Sequence, residues 1–175
     1  MSITTFQRSH RAAPKPNEDV PQMPLWRRPG YLIRRLHQIH GALFAQECVG
    51  FDITPVQYAV LTTLAQRPDC DQNTLAQEVG LDRTNAADVV RRLARQGLVV
   101  RRASPQDRRR MLARLTPRGQ TILAAMQAPM IRAQQRLIDT LEPAERERFV
   151  ATLLKLVDAT NNSSRAPRRD STIED

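Results

Sequence analysis

The segment LAQEVGLDRTNAADVVRRLARQGLVVRR, residues 75–102, decides the predicted fold. Ala76 lies in a short predicted helix, and so small a residue lets a second helix approach closely. Gly80 makes the turn, and Asp82 is placed to cap a second helix over residues 83–96. Two helices joined in this way are typical of a helix-turn-helix, although many helical hairpins share the spacing.

The segment that follows makes this prediction more specific. Residues 98–103 and 111–115 are predicted strands, joined by the basic loop SPQDRRR at residues 104–110. A helix-turn-helix followed at once by a basic hairpin is typical of a winged helix. The predicted fold class is therefore mainly α, a winged helix-turn-helix with a two-stranded β wing. The alternative is a generic helical hairpin with a solvated arginine face.

Proline at the first helical position marks the start of three more predicted helices. Each proline follows a potential capping residue, in the pairs Thr54-Pro55, Thr116-Pro117 and Glu142-Pro143. The helix after Thr116 is expected to run toward Leu141, with a bend at Pro129. With a further helix over residues 30–47, these elements make the chain mostly helical.

Two of the predicted helices carry wide apolar faces. On the helix over residues 30–47, two adjacent stripes at helical spacing are formed by Leu32, Leu36, Ile39 and Leu43 and by Ile33, His37, His40 and Phe44. On the last helix, the predicted buried side contains Phe149, Leu153, Leu154 and Val157. The helices within 30–47 and 120–160 have more apolar surface than one subunit can cover, which predicts an obligate dimer.

Composition divides the chain into three parts. Residues 1–24 are rich in proline and polar residues, which predicts a disordered N-terminal arm. Residues 161–175, NNSSRAPRRDSTIED, contain one large aliphatic side chain and are predicted to be a disordered C-terminal tail. Between them, residues 25–160 are predicted to form the winged-helix domain with its dimerisation helices.

The positive charge is concentrated beside the predicted wing. The chain has 27 basic and 18 acidic residues, a formal net charge of +9, and only two of the basic residues are lysines. Eleven arginines lie between Arg83 and Arg118, with Asp88 and Asp107 as the two acids, so this window alone has a net charge of +9. A block of one sign implies a polyanionic partner, and arginine forks suit phosphates and guanine edges. Double-stranded DNA is the predicted partner.

The cysteine count, the apolar runs and the motifs of the sequence disfavour several classes of protein. Two cysteines do not make a disulfide framework. No apolar run approaches the roughly 18 residues that a membrane span needs, and no signal peptide opens the chain, so a cytoplasmic protein without a membrane partner is expected. We find no Ser/His/Asp set, phosphate-binding glycine loop or paired carboxylates, and therefore expect no enzyme, catalytic residue or cofactor.

The predicted DNA contacts fall into three groups. Side chains in the first two turns of the second helix reach base edges: Arg83, Thr84, Asn85 and Asp88. Arginines farther along the same helix meet phosphates: Arg91, Arg92 and Arg95. Arginines of the wing loop can enter a narrow minor groove: Arg108, Arg109 and Arg110.

The chain resembles the MarR family of bacterial transcriptional regulators. The resemblance covers about residues 25–160 and rests on residues 75–102 and on DRRRMLARLTPRG, residues 107–119, which is similar to the family's wing signature. It implies a homodimer whose first and last helices interlock and whose two winged helices grip a pseudo-palindromic operator. It also implies that Asp107 orients Arg109, although Asp107 can equally be a turn-former after Ser104-Pro105. One departure is Asp88, where many members have a basic residue, so base preference should not be transferred.

The resemblance further implies a ligand pocket between the dimer helices and the winged domain. Many relatives respond to small aromatic acids, and PLWRRPGYLIRRLHQIH, residues 24–40, is similar to regulators of nicotinate or related aromatic catabolism. The expected function is a repressor that a small aromatic acid, such as a hydroxylated nicotinate, releases from its operator. Ring faces, donors and a carboxylate partner could come from Trp26, Tyr31, Arg34, His37, His40 and Tyr58. Arg35 could bind the ligand carboxylate instead of Arg34, and each of the two arginines could alternatively be an ordinary charged residue of the surface.

Three other interpretations remain open at this point. His37 and His40 could belong to a metal sensor if Cys48 and His10 completed the ligand set, but we expect no metal site. Cys48 could sense oxidants, but a buried structural thiol is favoured because nothing indicates a depressed pKa. A constitutive architectural DNA-binding protein without a ligand is the alternative function.

Overall fold

The computed structural model describes residues 23–161 of the chain. The chain divides into two compact units, with the boundary between Arg35 and Leu36. The described part of the first unit contains a 3-10 helix, Leu25–Arg27, and the first turns of helix α1, Pro29–Glu47. The predicted disordered arm and tail lie outside the described residues, apart from Met23, Pro24 and Asn161.

The second unit contains the end of α1 and all remaining elements. In chain order these are α2 Pro55–Gln66, β1 Cys70–Asp71, α3 Gln72–Val79, α4 Arg83–Arg95, β2 Val99–Ala103, β3 Met111–Leu115, α5 Pro117–Ile138 and α6 Pro143–Thr160. The mainly helical class and the order of helices agree with the prediction. None of the helices within residues 23–161 has both the length and the apolar character that crossing a bilayer requires.

The helix starts form as their capping residues predict. Thr54 and Gln57 make a reciprocal capping box at the start of α2, with the Thr54 hydroxyl accepting from Gln57 N at 3.2 Å and Gln57 Oε1 accepting from Thr54 N at 2.8 Å. The Asp82 carboxylate accepts from Asn85 N at 2.9 Å and starts α4. Thr116 accepts from Gly119 N at 3.0 Å and starts α5. α5 continues through Pro129 without a break and ends at Ile138, three residues before the predicted Leu141.

The sheet has one strand more than the predicted two-stranded wing. Its order is β1-β3-β2, with both pairs antiparallel. β1 contributes two residues, with Cys70 opposite Ala113 and Asp71 opposite Leu112. A strand of two residues has no alternation of apolar and polar side chains from which it could be recognised. It exists because the chain between α2 and α3 passes beside β3.

The core lies between α2, α3, α4, the sheet and parts of α1 and α5. Its fully buried large side chains are Val60, Leu61, Leu64, Leu75, Leu93 and Met126. The predicted inward face of α4 is confirmed: Ala86, Val90 and Leu93 are buried, and Val89 packs against the core. Gly119 closes the contact between α5 and the wing, because a Cβ there would collide with the carbonyl oxygen of Leu98.

The predicted apolar faces of the first and last helices are largely exposed in the single chain, as the prediction that one subunit cannot cover them requires. Phe149 is partly buried, but Leu153, Leu154 and Val157 of α6 are 40%, 52% and 51% exposed. Most of the predicted apolar stripes on α1 are exposed as well, and Phe44 is the residue of α1 that is fully buried. Helix periodicity predicted which residues share a face, and the structure shows which of these residues one chain leaves exposed.

Candidate nucleic-acid interface

The helix-turn-helix consists of α3, a three-residue turn and α4. Leu75 and Ala76 are buried on α3, and Leu81 N donates to Ala76 O at 2.8 Å across the turn. Gly80 has a φ of 70°, a left-handed conformation that glycine adopts without steric cost. This geometry buries one face of α4 and leaves its arginines on the other face, in solvent.

The four residues predicted to contact bases differ in solvent exposure and in the partners they already have. Arg83, Thr84 and Asn85 are exposed in the first turn of α4, and Asp88 is partly buried one turn later. Asn85 Nδ2 donates to Asp82 Oδ2 at 2.6 Å, so half of its amide is already engaged by the helix cap. Asp88 forms an ion pair with Arg91 along the helix. Asp82 and Arg91 therefore already occupy part of the hydrogen-bonding capacity of two of the four side chains.

The wing loop is closed by hydrogen bonds of its own backbone. Ser104 N donates to Arg110 O at 2.8 Å, and Arg110 N donates to Asp107 O at 2.9 Å. The Asp107 carboxylate accepts from the backbone N of Arg109 at 3.0 Å. This contact is that of a turn-former, and it constrains the backbone of Arg109, not its guanidinium. Arg108 and Arg109 project from this loop and are exposed.

Two acids that lie outside the arginine window bind part of it. Asp71 of β1 pairs with Arg110 at 2.7 Å. Asp69, just before β1, pairs with Arg102 of β2 at 2.9 Å and also with Arg114 of β3. Neither acid can be recognised from the sequence as a partner of the wing, because the strand that brings them there is too short to be predicted.

The ion pairs contribute to a lower pKa of both carboxyl groups. The Arg114 hydrogen bond, supported by Arg102, outweighs partial desolvation and lowers the pKa of Asp69. Burial opposes the ionisation of Asp71, but hydrogen bonds from Thr74 and Asn73, together with the charge of Arg110, lower its pKa as well. Both acids are therefore ionised at neutral pH and cancel part of the positive charge of the wing.

The start of α4 and the wing face a common cleft. This cleft of about 80 Å³ is lined by Asp71, Gln72, Asn73, Arg83, Arg109, Arg110 and Met111. Gln72 Nε2 donates to the carbonyl oxygen of Arg83 at 3.1 Å and ties the start of α3 to the start of α4. The cleft thus brings together an arginine predicted to read bases and an arginine predicted to enter the minor groove.

The residues predicted to bind a ligand lie in both units. In the first unit, Trp26 is 69% exposed, and the Arg34 guanidinium lies 5.6 Å from the centre of the Tyr31 ring. In the second unit, Tyr58 packs edge-on against Phe44 with ring centroids 6.4 Å apart. His37 and His40 lie on α1, the first exposed and the second partly buried.

The two thiols are buried side chains of the core. Burial and the neighbouring Glu47 raise the pKa of Cys48, and burial raises the pKa of Cys70 to about 11. This agrees with a structural thiol at Cys48, because a redox sensor needs a lowered pKa. Residues 23–161 contain no group of three metal-binding side chains, and His10, the proposed supplementary ligand, lies outside them.

Comparison with known proteins identifies the family of this chain. The model of the MarR family matches residues 53–111. The transcriptional repressor NicR of Pseudomonas putida is 28% identical over an alignment that covers 77% of this chain and 85% of NicR.

Two solved structures support the same assignment. The PcaV transcriptional regulator from Streptomyces coelicolor, in complex with its natural ligand, is 37% identical with a TM-score of 0.74, covering 81% of this chain and 99% of that one. The second is BpsR of Bordetella bronchiseptica, whose DNA binding is described as regulated by 6-hydroxynicotinic acid. It is 29% identical with a TM-score of 0.75, and the match covers 79% of this chain and 99% of BpsR.

These similarities confirm the resemblance that residues 75–102 and 107–119 indicated. The relatives are named as transcriptional regulators, which agrees with the expectation that the chain is not an enzyme. This chain belongs to the MarR family of transcriptional regulators.

Proposed function

We propose that the chain is a sequence-specific repressor whose DNA-binding surface is the start of α4 together with the wing. One observation supports this most directly. Arg83 and Arg109 line the same cleft, and neither guanidinium forms an ion pair with any residue in the described part of the chain. Two free guanidinium groups on adjacent elements suit a polyanion that passes across both.

In this proposal the recognition helix is α4, and it lies in the major groove. Thr84 and Asn85 contact base edges from the first turn, and Arg83 contacts a guanine or a nearby phosphate. Arg92 and Arg95, in the second half of α4, neutralise phosphates. Arg108 and Arg109 of the wing enter the adjacent minor groove, where a narrow A·T-rich segment concentrates negative potential.

The proposed functional unit is a homodimer bound to a pseudo-palindromic operator. The exposed stripe of α6 contains Val150, Leu153, Leu154 and Val157, and α1 exposes Leu32, Ile33, Leu36 and Ile39. Adjacent apolar side chains in this number are costly in water and suit a second copy of the same surface. Such a pair presents two copies of α4 to half-sites about one helical turn apart.

We also propose that a small aromatic acid releases this repressor from DNA. The support is chemical, since Tyr31, Tyr58 and Trp26 offer ring faces, His37 and His40 offer donors, and Arg34 offers a cation for a carboxylate. Two similar proteins give further support: the DNA binding of BpsR is described as regulated by 6-hydroxynicotinic acid, and NicR is named as a transcriptional repressor. Binding must favour a dimer with wrongly spaced recognition helices, since a ligand of equal affinity for both states shifts nothing.

The test combines footprinting with thermal unfolding. We expect the protein to protect a pseudo-palindromic site in its own upstream region, and 6-hydroxynicotinate to raise the melting temperature and remove the footprint. His40→Ala and Tyr58→Ala should abolish the thermal shift and leave DNA affinity nearly intact. Cyclohexanecarboxylate, which has the carboxylate without the aromatic ring, is the matched control ligand. Protection of many unrelated sequences, with no response to any aromatic acid, would instead indicate the constitutive architectural protein.

A further inference from the structure

Asp71 joins three elements through one carboxylate. Its Oδ1 accepts from the backbone N of Asn73 at 3.0 Å and of Thr74 at 3.3 Å, which caps α3. Its Oδ2 accepts from the Thr74 hydroxyl at 2.8 Å and from Arg110 Nη2, at the end of the wing loop, at 2.7 Å. The Asp71 side chain is 14% exposed, so these partners replace most of its contact with water.

The arginine on the other side of this pair lies beside the residues proposed to enter DNA. Arg110 follows Arg109 directly, and its carbonyl oxygen accepts the hydrogen bond that closes the loop from Ser104. Asp71 is also opposite Leu112 in the β1–β3 ladder, so its backbone and side chain hold the same end of the wing. The wing is therefore attached through Asp71 to α3, and through Gln72 to the start of α4.

We propose that Asp71 is a positioning residue for DNA binding, which holds the wing loop at the spacing from α4 that one operator requires. The inference rests on the proposed function, since it assigns a role within that DNA-binding surface. Arg110 serves in this arrangement as the anchor of the wing, and Arg108 and Arg109 make the DNA contacts. A wing without the anchor samples other positions, and only the fraction that is correctly placed binds tightly.

The substitution Asp71→Asn separates the two roles of the carboxylate. Asparagine is a good helix cap, so α3 keeps its start, while the ionic partner of Arg110 is lost. Arg110→Gln removes the same pair from the other side and leaves the cap untouched. Arg110→Lys keeps a positive charge for Asp71 and is the conservative control.

The affinity measurements distinguish positioning from direct contact. A partly exposed ion pair contributes modestly, so Asp71→Asn and Arg110→Gln should each weaken operator binding about threefold to fivefold. The dependence of log affinity on log salt should keep its slope, because no phosphate contact is lost. The double variant should bind no more weakly than either single variant, and Arg110→Lys should bind close to the wild type. A slope reduced by about one in Arg110→Gln alone would overturn the proposal, because Arg110 would then contact phosphate.

A measurement without DNA keeps this inference separate from the proposed function. Hydrogen exchange of the amides in residues 104–112 should be faster in Asp71→Asn and in Arg110→Gln than in the wild type, with exchange in α5 unchanged. Equal exchange in all three proteins would overturn the positioning role whether or not an operator is found. A wild-type protein that binds no DNA would refute the proposed function and leave the exchange result to decide the role of Asp71 in the wing.

Discussion

At the scale of single residues, the structure separates arginines that the sequence could not distinguish. Arg91, Arg102, Arg110 and Arg114 are ion-paired with aspartates. The other seven arginines of the window form no ion pair within residues 23–161, namely Arg83, Arg92, Arg95, Arg101, Arg108, Arg109 and Arg118. The aspartate of a paired guanidinium already takes up part of its charge and its N–H donors, so a free guanidinium is better suited to the proposed DNA contacts.

Arg109 provides the residue-scale prediction. Arg109→Ala should weaken operator binding by about 1–3 kcal/mol and reduce the salt slope by about one, because a free cation leaves the groove. The matched control is Arg148→Ala on α6, which removes the same charge outside the proposed surface. Titrations of operator binding at several salt concentrations measure both quantities. Unchanged affinity of Arg109→Ala at every salt concentration would show that the wing assignment is wrong.

At the scale of elements, a strand of two residues organises the wing. β1 lies beside β3, and Asp69, the residue before β1, has a φ of 57°. This left-handed backbone is tolerated by aspartate and asparagine better than by most residues. From there the carboxylate reaches Arg102 on β2 and Arg114 on β3, so one acid ties together the strands on which the wing is built.

The lowered pKa of Asp69 predicts how this element responds to pH. An acid that ionises more readily when folded than when unfolded stabilises the fold above its unfolded pKa of about 4, and this stabilisation is lost as the pH falls through the lower folded value. Asp69→Asn should therefore lower the melting temperature at pH 7, and the difference from the wild type should shrink toward pH 3. Asp139→Asn, which removes the exposed partner of Arg146, is the control and should change little. A melting temperature of Asp69→Asn that lies equally far below the wild type at both pH values would contradict the lowered pKa of Asp69.

At the scale of the whole molecule, the question is what covers the exposed apolar stripes. The stripe of α6 continues for two turns, from Val150 to Val157, with each large apolar side chain at least 40% exposed. By contrast, α4 buries its apolar face completely at Val90 and Leu93 within one chain. The same periodicity thus has different outcomes in the two helices, and a second copy is the proposed partner of α6.

The dimer prediction follows from this contrast. Light scattering should find a dimer at micromolar concentrations, and Leu154→Glu should give a monomer that has lost most of its operator affinity, because a single half-site is then bound. The control Lys155→Glu changes a neighbouring residue that does not belong to the stripe and should remain dimeric. A wild-type monomer that is stable at micromolar concentration and has full operator affinity would refute the prediction.

Features that depend on neighbours along the chain could be predicted from the sequence. Caps at Thr54, Asp82 and Thr116 and the turn at Gly80 act within four residues, so the helix order could be predicted from residue type and spacing. The faces of the helices followed from the period of 3.6 residues in the same way. The wing motif at residues 107–119 could also be recognised in the sequence. The structure explains why its last residue is glycine, because Gly119 lies close to the backbone of Leu98.

The contacts between distant charges and the covering of apolar faces depend on how the elements pack in three dimensions. Asp69 is separated by 33 residues from Arg102 and by 45 from Arg114, and Asp71 by 39 from Arg110. No local pattern encodes such pairs, because they form where the path of the chain places β1 against β3. Periodicity likewise marks an apolar face on both α4 and α6, but Val90 is buried within one chain and Leu154 is exposed, because burial depends on which elements pack against a helix.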